Sequence, residues 1–321
     1  MPGKKHLCLS AGILFADVGC SPISHCPIPG ELVPTERVEL SLGGCASNLA
    51  INMARLEIPT GLCGCVGDDS FSDFVVRSLD VPLIDVSGLG KVKNASPGIT
   101  LMVNVKGEDR RFISTTGANA AFSINDIPEA WTEEAEVLYL GGFLMMPELE
   151  RPETVEFLKR FQARGGKSIL DVVLYGARPY WDAIKPLLPY VDYFMPNNDE
   201  GFCICGKKDP LEQARFFLDA GAKVSVITCG EAGSLFYSAD DKFQTGIFKT
   251  EFIGGTGSGD AFAAGFVAGL LAGDNPASLM KRASAQGMSA VRHVSATASV
   301  FTRKEQEAFL AENDLEIREV K

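Results

Sequence analysis

The sequence is short of positive charge and of long apolar runs, and each shortage excludes a class of protein. Its 321 residues carry 30 Lys and Arg against 41 Asp and Glu, a formal net charge of −11. A nucleic-acid partner calls for a basic stripe, and no run of Lys or Arg here exceeds two residues. No apolar stretch approaches the roughly 20 residues that span a bilayer. We therefore expect neither a nucleic-acid partner nor a membrane partner.

Histidine is also scarce, and the cysteines lack the spacing of a metal site. Nine cysteines, an odd number, are scattered along the chain beside only three histidines. The pairs Cys63/Cys65 and Cys203/Cys205 are each separated by one residue, whereas paired zinc ligands are usually separated by about two to four. This usage favours free thiols in a reducing compartment over a disulfide framework. We expect a cytoplasmic protein whose cysteines are buried as small hydrophobic residues.

Short apolar runs alternate with helical patterns along most of the chain. The first run follows Lys4-Lys5 as in a secretory signal, but it has the length of a core strand. The predicted strands are 7–14, 61–67, 137–140, 168–171, 190–195 and 224–228, and the predicted helices are 46–57, 71–79, 152–163 and 211–220. Such alternation is typical of a parallel sheet covered by helices on both faces. The sequence therefore predicts a single α/β domain over 1–321, built in three α/β/α layers.

Two stretches interrupt this alternation with strand patterns of their own. The run 31–41 alternates apolar and polar residues, and the runs 99–105 and 110–114 flank a tight turn. We predict a small antiparallel sheet, inserted from approximately 15–42 and 96–118, that forms a lid over a site. An extension of the sheet edge without a function is the alternative.

A glycine-rich segment near the end of the chain is the most informative part of the sequence. An apolar helix is predicted to begin near Ser258–Asp260, and four glycines lie at or just before its start: Gly254, Gly255, Gly257 and Gly259. Glycine lets the backbone approach a ligand closely, and the unpaired N–H groups of a helix start attract an anion. The segment lacks the Gly-Lys-Ser/Thr of a Walker A loop, and its glycine spacing does not fit a dinucleotide fingerprint. It predicts an anion site of another kind.

Asp260 stands at the start of the same predicted helix. A carboxylate there is also typical of a helix N-cap, which is the alternative interpretation. A loop that only held phosphate would gain nothing from a carboxylate, because the two negative charges repel each other. A hydroxyl that must lose a proton beside a phosphate does need a base. Asp260 is therefore a candidate general base.

The run Gly-Gly-Thr-Gly-Ser-Gly-Asp at 254–260 resembles the D-T-x-G-A-G-D signature of the ribokinase-like (PfkB-type) carbohydrate kinase family. The resemblance implies that Asp260 activates a substrate hydroxyl and that Gly257, Ser258 and Gly259 build an anion hole. It also implies a ribokinase-like fold with a lid. The implied reaction transfers phosphate from ATP, with Mg²⁺, to a sugar or sugar-like molecule.

Two earlier motifs resemble the substrate-binding segments of this family. Gly43 and Gly44 open a G-G-x-x-x-N-x-A pattern, which implies that the glycines form a lid hinge and that Asn48 contacts substrate. Asp17 ends a G-x-x-x-x-D pattern, which implies that it binds substrate hydroxyls. Without the family, Asp17 is typical of a turn cap and the glycines of a strand-to-helix turn. Asn48 with Asn52 is then typical of an exposed polar stripe.

Two later motifs resemble the nucleotide-binding segments. Asn197 and Glu200 match N-x-x-E, which implies that they position phosphates and that Glu200 acts on Mg²⁺ indirectly. Thr228, Gly230 and Gly233 match T-x-G-x-x-G, which implies contact with the nucleotide. The alternatives are a capping box for the first pair and hairpin glycines for the second.

The chain also departs from the family pattern. Gly254 stands where an Asp helps to hold a monovalent cation in many relatives, which puts activation by K⁺ in doubt. Asp171-Val172-Val173 replaces the family's D-P-N segment. Because Asp260 is intact, we favour an active enzyme. A nucleoside kinase and a catalytically silent relative that binds nucleotide or sugar are the alternatives.

The motifs leave the identity of the sugar open. Lids of this family often pair between subunits, so the resemblance makes a homodimer through the lid an expectation.

Overall fold

The computed structural model describes residues 6–108 and 111–320. Two residues of the predicted lid hairpin, 109 and 110, lie outside this part of the chain, and so does the pair Lys4-Lys5 that precedes the first predicted strand. The strands are β1 (Cys8–Gly12), β2 (Phe15–Cys20), β3 (Val38–Gly43), β4 (Thr60–Val66), β5 (Ile84–Lys91), β6 (Gly98–Val103), β7 (Arg111–Thr115), β8 (Val137–Gly141), β9 (Lys167–Leu170), β10 (Tyr193–Phe194), β11 (Val224–Thr228), β12 (Ser234–Ser238), β13 (Lys242–Thr245) and β14 (Ile317–Glu319). The helices are α1 (Cys45–Arg55), α2 (Ser70–Ser78), α3 (Glu129–Glu134), α4 (Pro152–Ala163), α5 (Trp181–Ile184), α6 (Asn198–Cys205), α7 (Pro210–Asp219), α8 (Ser258–Ala272), α9 (Pro276–Ala290) and α10 (Arg303–Glu312).

The main sheet has ten strands in the order β14-β13-β12-β11-β10-β9-β8-β1-β4-β5. The pairs from β11 to β5 are parallel, and β12, β13 and β14 extend the sheet by antiparallel pairing. Every residue of β1, β4 and β8 is buried, as in strands that lie between two layers of helices. The predicted α/β fold with a mostly parallel sheet is confirmed.

Helix α8 is buried deep in this fold. Its residues from Ala261 to Gly269 are all buried, and it packs against α9 and α1. The approach to α9 is close because Gly265 has no side chain: a β-carbon there would lie 2.7 Å from the carbonyl oxygen of Arg282. Although α8 is apolar all round, no helix in the described parts of the chain is both long and apolar enough to cross a membrane.

A chain of buried amide side chains joins three helices. Gln306 of α10 donates to the side-chain oxygen of Gln286 of α9 over 2.8 Å, and Gln286 donates to Asn52 of α1 over 3.3 Å. Asn52 in turn donates to the backbone carbonyl of Asn48 over 2.9 Å. Buried amides must find partners inside the protein, so these bonds fix α1 relative to α9 and α10.

A second sheet, in the order β3-β2-β6-β7, forms the lid. The predicted strand at 7–14 was too long, because residues 13 and 14 belong to the connection between the two sheets. β1 ends at Gly12, and the chain enters the second sheet at Phe15. Gly12 has a φ of 152°, and a β-carbon there would lie 2.1 Å from the carbonyl oxygen of Gly141. The backbone therefore leaves the main sheet at a residue that must be glycine.

Two other predicted strands were too long. The run 31–41 is a strand only from Val38 onward, and the residues before it are irregular. Pro34 lacks a backbone N–H, which disfavours it inside a sheet. The run 190–195 shortens to Tyr193–Phe194, because a 3₁₀ turn at Leu188–Tyr190 precedes it.

The lid sheet has a polar face and an apolar face. One set of residues in register across its four strands, which we call the polar row, is Ser41, Asp17, Thr100 and Ser114. The adjacent set, the apolar row, is Leu40, Val18, Leu101 and Ile113. Successive residues of a strand point to opposite faces, so the two rows lie on opposite sides of the lid. In the apolar row Leu40, Leu101 and Ile113 are 40, 44 and 64 % exposed.

Candidate active site

Asp260 lies in the first turn of α8, where the sequence predicts it. The helix is capped by Gly257, which has a φ of 76° and whose β-carbon would lie 2.5 Å from that of Ala296. The interpretation of Asp260 as the cap is therefore excluded. Ser258 donates its hydroxyl to the carbonyl of Gly255 over 2.9 Å, and Gly259 has open space beside its α-carbon. The start of α8 thus presents backbone N–H groups without side chains over them, and these groups suit an anion. The carboxylate of Asp260 lies next to them.

Asn48 holds the carboxylate of Asp260. Its side-chain N–H donates to Asp260 Oδ2 over 2.8 Å, and the residue is only 4 % exposed. Asn52 is fully buried as well, so the interpretation of the two residues as an exposed polar stripe is excluded. Among the residues that the structure describes, the side-chain oxygen of Asn48 has no hydrogen-bond partner. A buried acceptor of this kind fits a donor supplied by a ligand.

Three further groups beside Asp260 were missed by the sequence analysis. The hydroxyl of Tyr139 lies 2.9 Å from Asp171 Oδ2 and 3.4 Å from Asp260 Oδ1. The thiol of Cys45 and the carboxylates of Asp171 and Asp260 lie within 4.8 Å of one another. Tyr139 belongs to β8 and Asp171 follows β9, which is its parallel neighbour. An aspartate directly after a buried strand was the signal that could have identified Asp171.

Burial and the charge of Asp260 raise the pKa of the carboxylates around it. Burial, followed by the charges of Glu200 and Asp260, raises the pKa of Asp171 well above its ordinary range. Burial also raises the pKa of Glu200 to about 7 and that of Asp17 to about 6, and the charge of Asp260 adds to both. The pKa of Asp260 itself is raised by burial, against the hydrogen bonds that it receives, first of all from Asn48.

A cavity of about 140 Å³ opens beside Asp260. Its lining comes from five segments and includes six predicted site residues, Asn197, Glu200, Thr228, Gly257, Gly259 and Asp260. The other lining residues are Cys45, Asp171, Val172, Val173 and Met195. A larger groove of about 400 Å³ lies between α2 and β5 and contains none of the predicted site residues.

Asn197 and Glu200 form a capping box at the start of α6. The Asn197 side chain accepts from the backbone N–H of Glu200 over 2.9 Å, and Glu200 Oε2 accepts from that of Asn197 over 2.8 Å. The structural alternative for this pair is thus confirmed. Both residues also line the cavity, so capping and ligand contact are compatible.

The three residues of the last predicted motif are divided. Thr228 ends β11, pairs with Asn197 and lines the cavity. Gly230 and Gly233 lie in the connection between the antiparallel strands β11 and β12, outside the cavity lining. A β-carbon on Gly233 would lie 1.9 Å from the carbonyl oxygen of Thr245, so the packing of the backbone alone requires glycine at this position.

Gly43 and Gly44, the glycines predicted to form a hinge, connect the second sheet to α1, and Asp17 lies beside the first of them. The Asp17 carboxylate lies over Gly43, because a β-carbon there would be 1.9 Å from Asp17 Oδ2. Gly44 caps α1 with a φ of 94°, and a β-carbon on it would lie 2.5 Å from the carbonyl oxygen of Ile13. Burial, and to a smaller extent the charge of Asp260, raises the pKa of Asp17.

The donor set fits a nucleotide with its metal. Mg²⁺ prefers oxygen ligands and retains several waters, which suits the carboxylate of Glu200 and the amide of Asn197 at the cavity wall. The bare start of α8 suits phosphate. The thiol of Cys45 is a poor ligand for Mg²⁺, so the Cys45, Asp171 and Asp260 cluster does not have the composition of a magnesium site.

Two solved structures with the same architecture are ribokinases. That of Thermotoga maritima superposes with a TM-score of 0.80 at 25 % identity and covers 96 % of this chain and 100 % of its own. That of Arabidopsis thaliana, complexed with ribose and ATP, gives a TM-score of 0.83 at 21 % identity and covers 95 % and 99 %. The protein has the ribokinase fold.

The chain belongs to the PfkB family of carbohydrate kinases, because the family model described as pfkB family carbohydrate kinase matches residues 5–303. The 5-dehydro-2-deoxygluconokinase of Clostridium perfringens is 29 % identical over 248 residues, 72 % of each chain. The ribokinase of Staphylococcus aureus is 27 % identical over 249 residues, 75 % of this chain and 79 % of its own. The ATP-dependent 6-phosphofructokinase of Thermoanaerobacterium thermosaccharolyticum is 26 % identical over 279 residues, 84 % and 83 %. The protein is therefore a carbohydrate kinase, a phosphotransferase with an alcohol group as acceptor.

Proposed function

We propose that the chain transfers the γ-phosphoryl group of ATP to a hydroxyl of a sugar or sugar-like small molecule, with Asp260 as the general base. The observation that carries the proposal is the position of Asp260, in the first turn of α8 and at the wall of the cavity. A base must lie beside the anion site to remove a hydroxyl proton as the phosphoryl group arrives. Its raised pKa brings it closer to the pH at which it would work.

The acceptor binds between the lid and α1 in this proposal. Asp17 accepts hydrogen bonds from acceptor hydroxyls, and the unpaired side-chain oxygen of Asn48 accepts another. Gly43 and Gly44 form the hinge at which the lid strand β3 joins α1. Closure of a lid excludes water and suppresses ATP hydrolysis. The segments at approximately 15–42 and 96–118, which contain the four lid strands except the last residue of β3, are the proposed insertion in the domain.

The nucleotide binds along the edge formed by α6, β11 and α8. Gly257, Ser258 and Gly259 supply the anion hole, because the first N–H groups of a helix have no partner within it. Asn197 and Glu200 act on Mg²⁺ through its water shell, and Thr228, Gly230 and Gly233 contact the nucleotide. When it is bound, Mg²⁺ neutralises charge on the transferring phosphoryl group.

Two further properties belong to the proposal. The nine cysteines are free thiols, which supports a reducing compartment such as the cytoplasm. The exposed apolar row on the outer face of the lid supports a homodimer in which two lids pair, because exposed apolar surface of this kind marks interfaces.

The experiment is ADP release from Mg-ATP over a panel of ketoses, aldoses, sugar phosphates and nucleosides. We expect release with a sugar, and we expect Asp260→Asn to lower kcat by about 10²-fold or more. Asp80→Asn, which changes an exposed aspartate after α2, is the matched control and should retain wild-type turnover. A preference for nucleosides would favour the nucleoside-kinase alternative. ATP binding without turnover on any acceptor, or an active Asp260→Asn variant, would contradict the proposal.

A further inference from the structure

Tyr139 has one hydroxyl proton but lies beside two carboxyl groups. Its oxygen is 2.9 Å from Asp171 Oδ2 and 3.4 Å from Asp260 Oδ1. If both carboxyls were ionised, only one could receive the phenol proton, and the other would face an oxygen lone pair inside the protein. A proton on one of the carboxyls removes the conflict, because that carboxyl donates to Tyr139 while Tyr139 donates to the other.

The surroundings of the two carboxyls differ, and the difference decides which of them carries the proton. Asp260 receives the amide of Asn48 over 2.8 Å and lies in the first turn of α8, where the helix dipole favours negative charge. In the described parts of the chain the side-chain donors to Asp171 are Tyr139 and the thiol of Cys45. Two carboxyls this close do not both ionise readily, and the less stabilised one retains its proton.

We propose that Asp171 and Asp260 share one proton through the hydroxyl of Tyr139, with Asp171 the protonated member and Asp260 the ionised base. The inference deepens the proposed function and rests on it for the role of Asp260. Tyr139 and Asp171 are then positioning residues. When Asp260 takes the acceptor proton, the O–H bond of the acceptor breaks and the pair holds two protons, one of which later passes to water.

Among the described residues, the titratable groups near the pair act on it in two opposite ways. Cys45 on α1 and Tyr139 on β8 are un-ionised donors, because burial and the neighbouring carboxylates raise the pKa of each. Glu200 on α6 adds a like charge that acts on Asp171 directly. The charge of Asp260 reaches Asp17 on β2 as well. The charges of Glu200 and Asp260 disfavour an ionised Asp171, whereas the hydrogen bonds from Cys45 and Tyr139 reach both carboxyls and lower the pKa of each.

The test is carbon NMR of the protein labelled with ¹³C at the aspartate side-chain carboxyls, without substrate. Asp171→Asn and Asp260→Asn assign the two signals. At about pH 7 we expect Asp171 at the shift of a carboxylic acid and Asp260 at that of a carboxylate. In Tyr139→Phe we expect the midpoint of Asp260 to rise by about one pH unit, because its ionised form loses a donor. A purely structural role for Tyr139 would leave that midpoint in place.

Two results would overturn the proposal: both carboxyls ionised at neutral pH, or an Asp260 midpoint unchanged by Tyr139→Phe. The first measurement uses the wild-type fold, so it decides the question even if Tyr139→Phe does not fold. Because no turnover is required, the outcome is separate from that of the ADP-release panel. A shared proton in a protein without phosphotransfer would support this inference and contradict only the proposed function.

Discussion

The side-chain amide of Asn48 and the carboxylate of Asp260 are joined by a 2.8 Å hydrogen bond between two helices that are far apart in sequence. The bond favours the ionised form of Asp260. We predict that Asn48→Ala raises the pKa of the base and moves the acid limb of the kcat/KM profile upward by about one pH unit. The pH profile of ADP release checks this. An unmoved acid limb in a correctly folded variant would show that Asn48 does not act on the base.

We expect the ionised form of Asp260 to lower the free energy of unfolding. Its folded pKa lies above its unfolded value, so ionisation opposes folding, and the penalty is complete only above the folded pKa. We predict that Asp260→Asn raises Tm at about pH 8 by a few degrees and that the gain shrinks as the pH falls through the folded pKa. Calorimetry at several pH values measures it. A gain that grew toward acid pH would have the wrong sign.

Gly43 should be intolerant of a side chain because Asp17 lies over it. A β-carbon at Gly43 would be 1.9 Å from Asp17 Oδ2, so Gly43→Ala must displace the carboxylate. We expect KM for the acceptor to rise about tenfold or more while KM for ATP changes little. Gly19→Ala is the matched control on the same lid, since a β-carbon there meets only the flexible end of Met102 at 3.1 Å. Equal effects of the two substitutions would argue against a substrate role for Asp17.

The apolar row predicts a dimer that one charge can break. Ile113 is 64 % exposed and stands at the end of this row. We expect Ile113→Glu to yield monomers, because a buried unpaired carboxylate is costly at an interface. Sedimentation velocity gives the state, and Ala130→Glu on the exposed side of α3 is the control. A wild-type chain that sediments as a monomer at all concentrations would refute the predicted dimer.

Gly254 predicts a kinase without a monovalent-cation requirement. No carboxylate is available at this position to hold K⁺ beside the start of α8. We expect exchange of K⁺ for Na⁺ at constant ionic strength to change kcat by less than about twofold. Activation by K⁺ well beyond twofold would show that other ligands hold the cation. Gly254 would then not indicate a kinase that works without K⁺.

The site residues that are neighbours in the chain were predictable from the sequence. Those that only the fold brings together were not. Asp260 and its glycines are neighbours in the chain, so their spacing indicates a helix start and an anion site. Tyr139 and Asp171 come from different strands, and only the register of β8 with β9 brings them together. The end of the first strand at Gly12 was missed because an apolar run does not reveal where the chain leaves a sheet.

The buried amide side chains described above connect α10 by hydrogen bonds to α1, which carries Asn48 beside Asp260. The family match stops at residue 303, where α10 begins, and none of the predicted motifs lies beyond it. Yet Gln306 donates a hydrogen bond to Gln286, and Gln286 donates one to Asn52 of α1, the helix that carries Asn48. A protein shortened at that boundary would retain every motif and lose the anchor of its own active site.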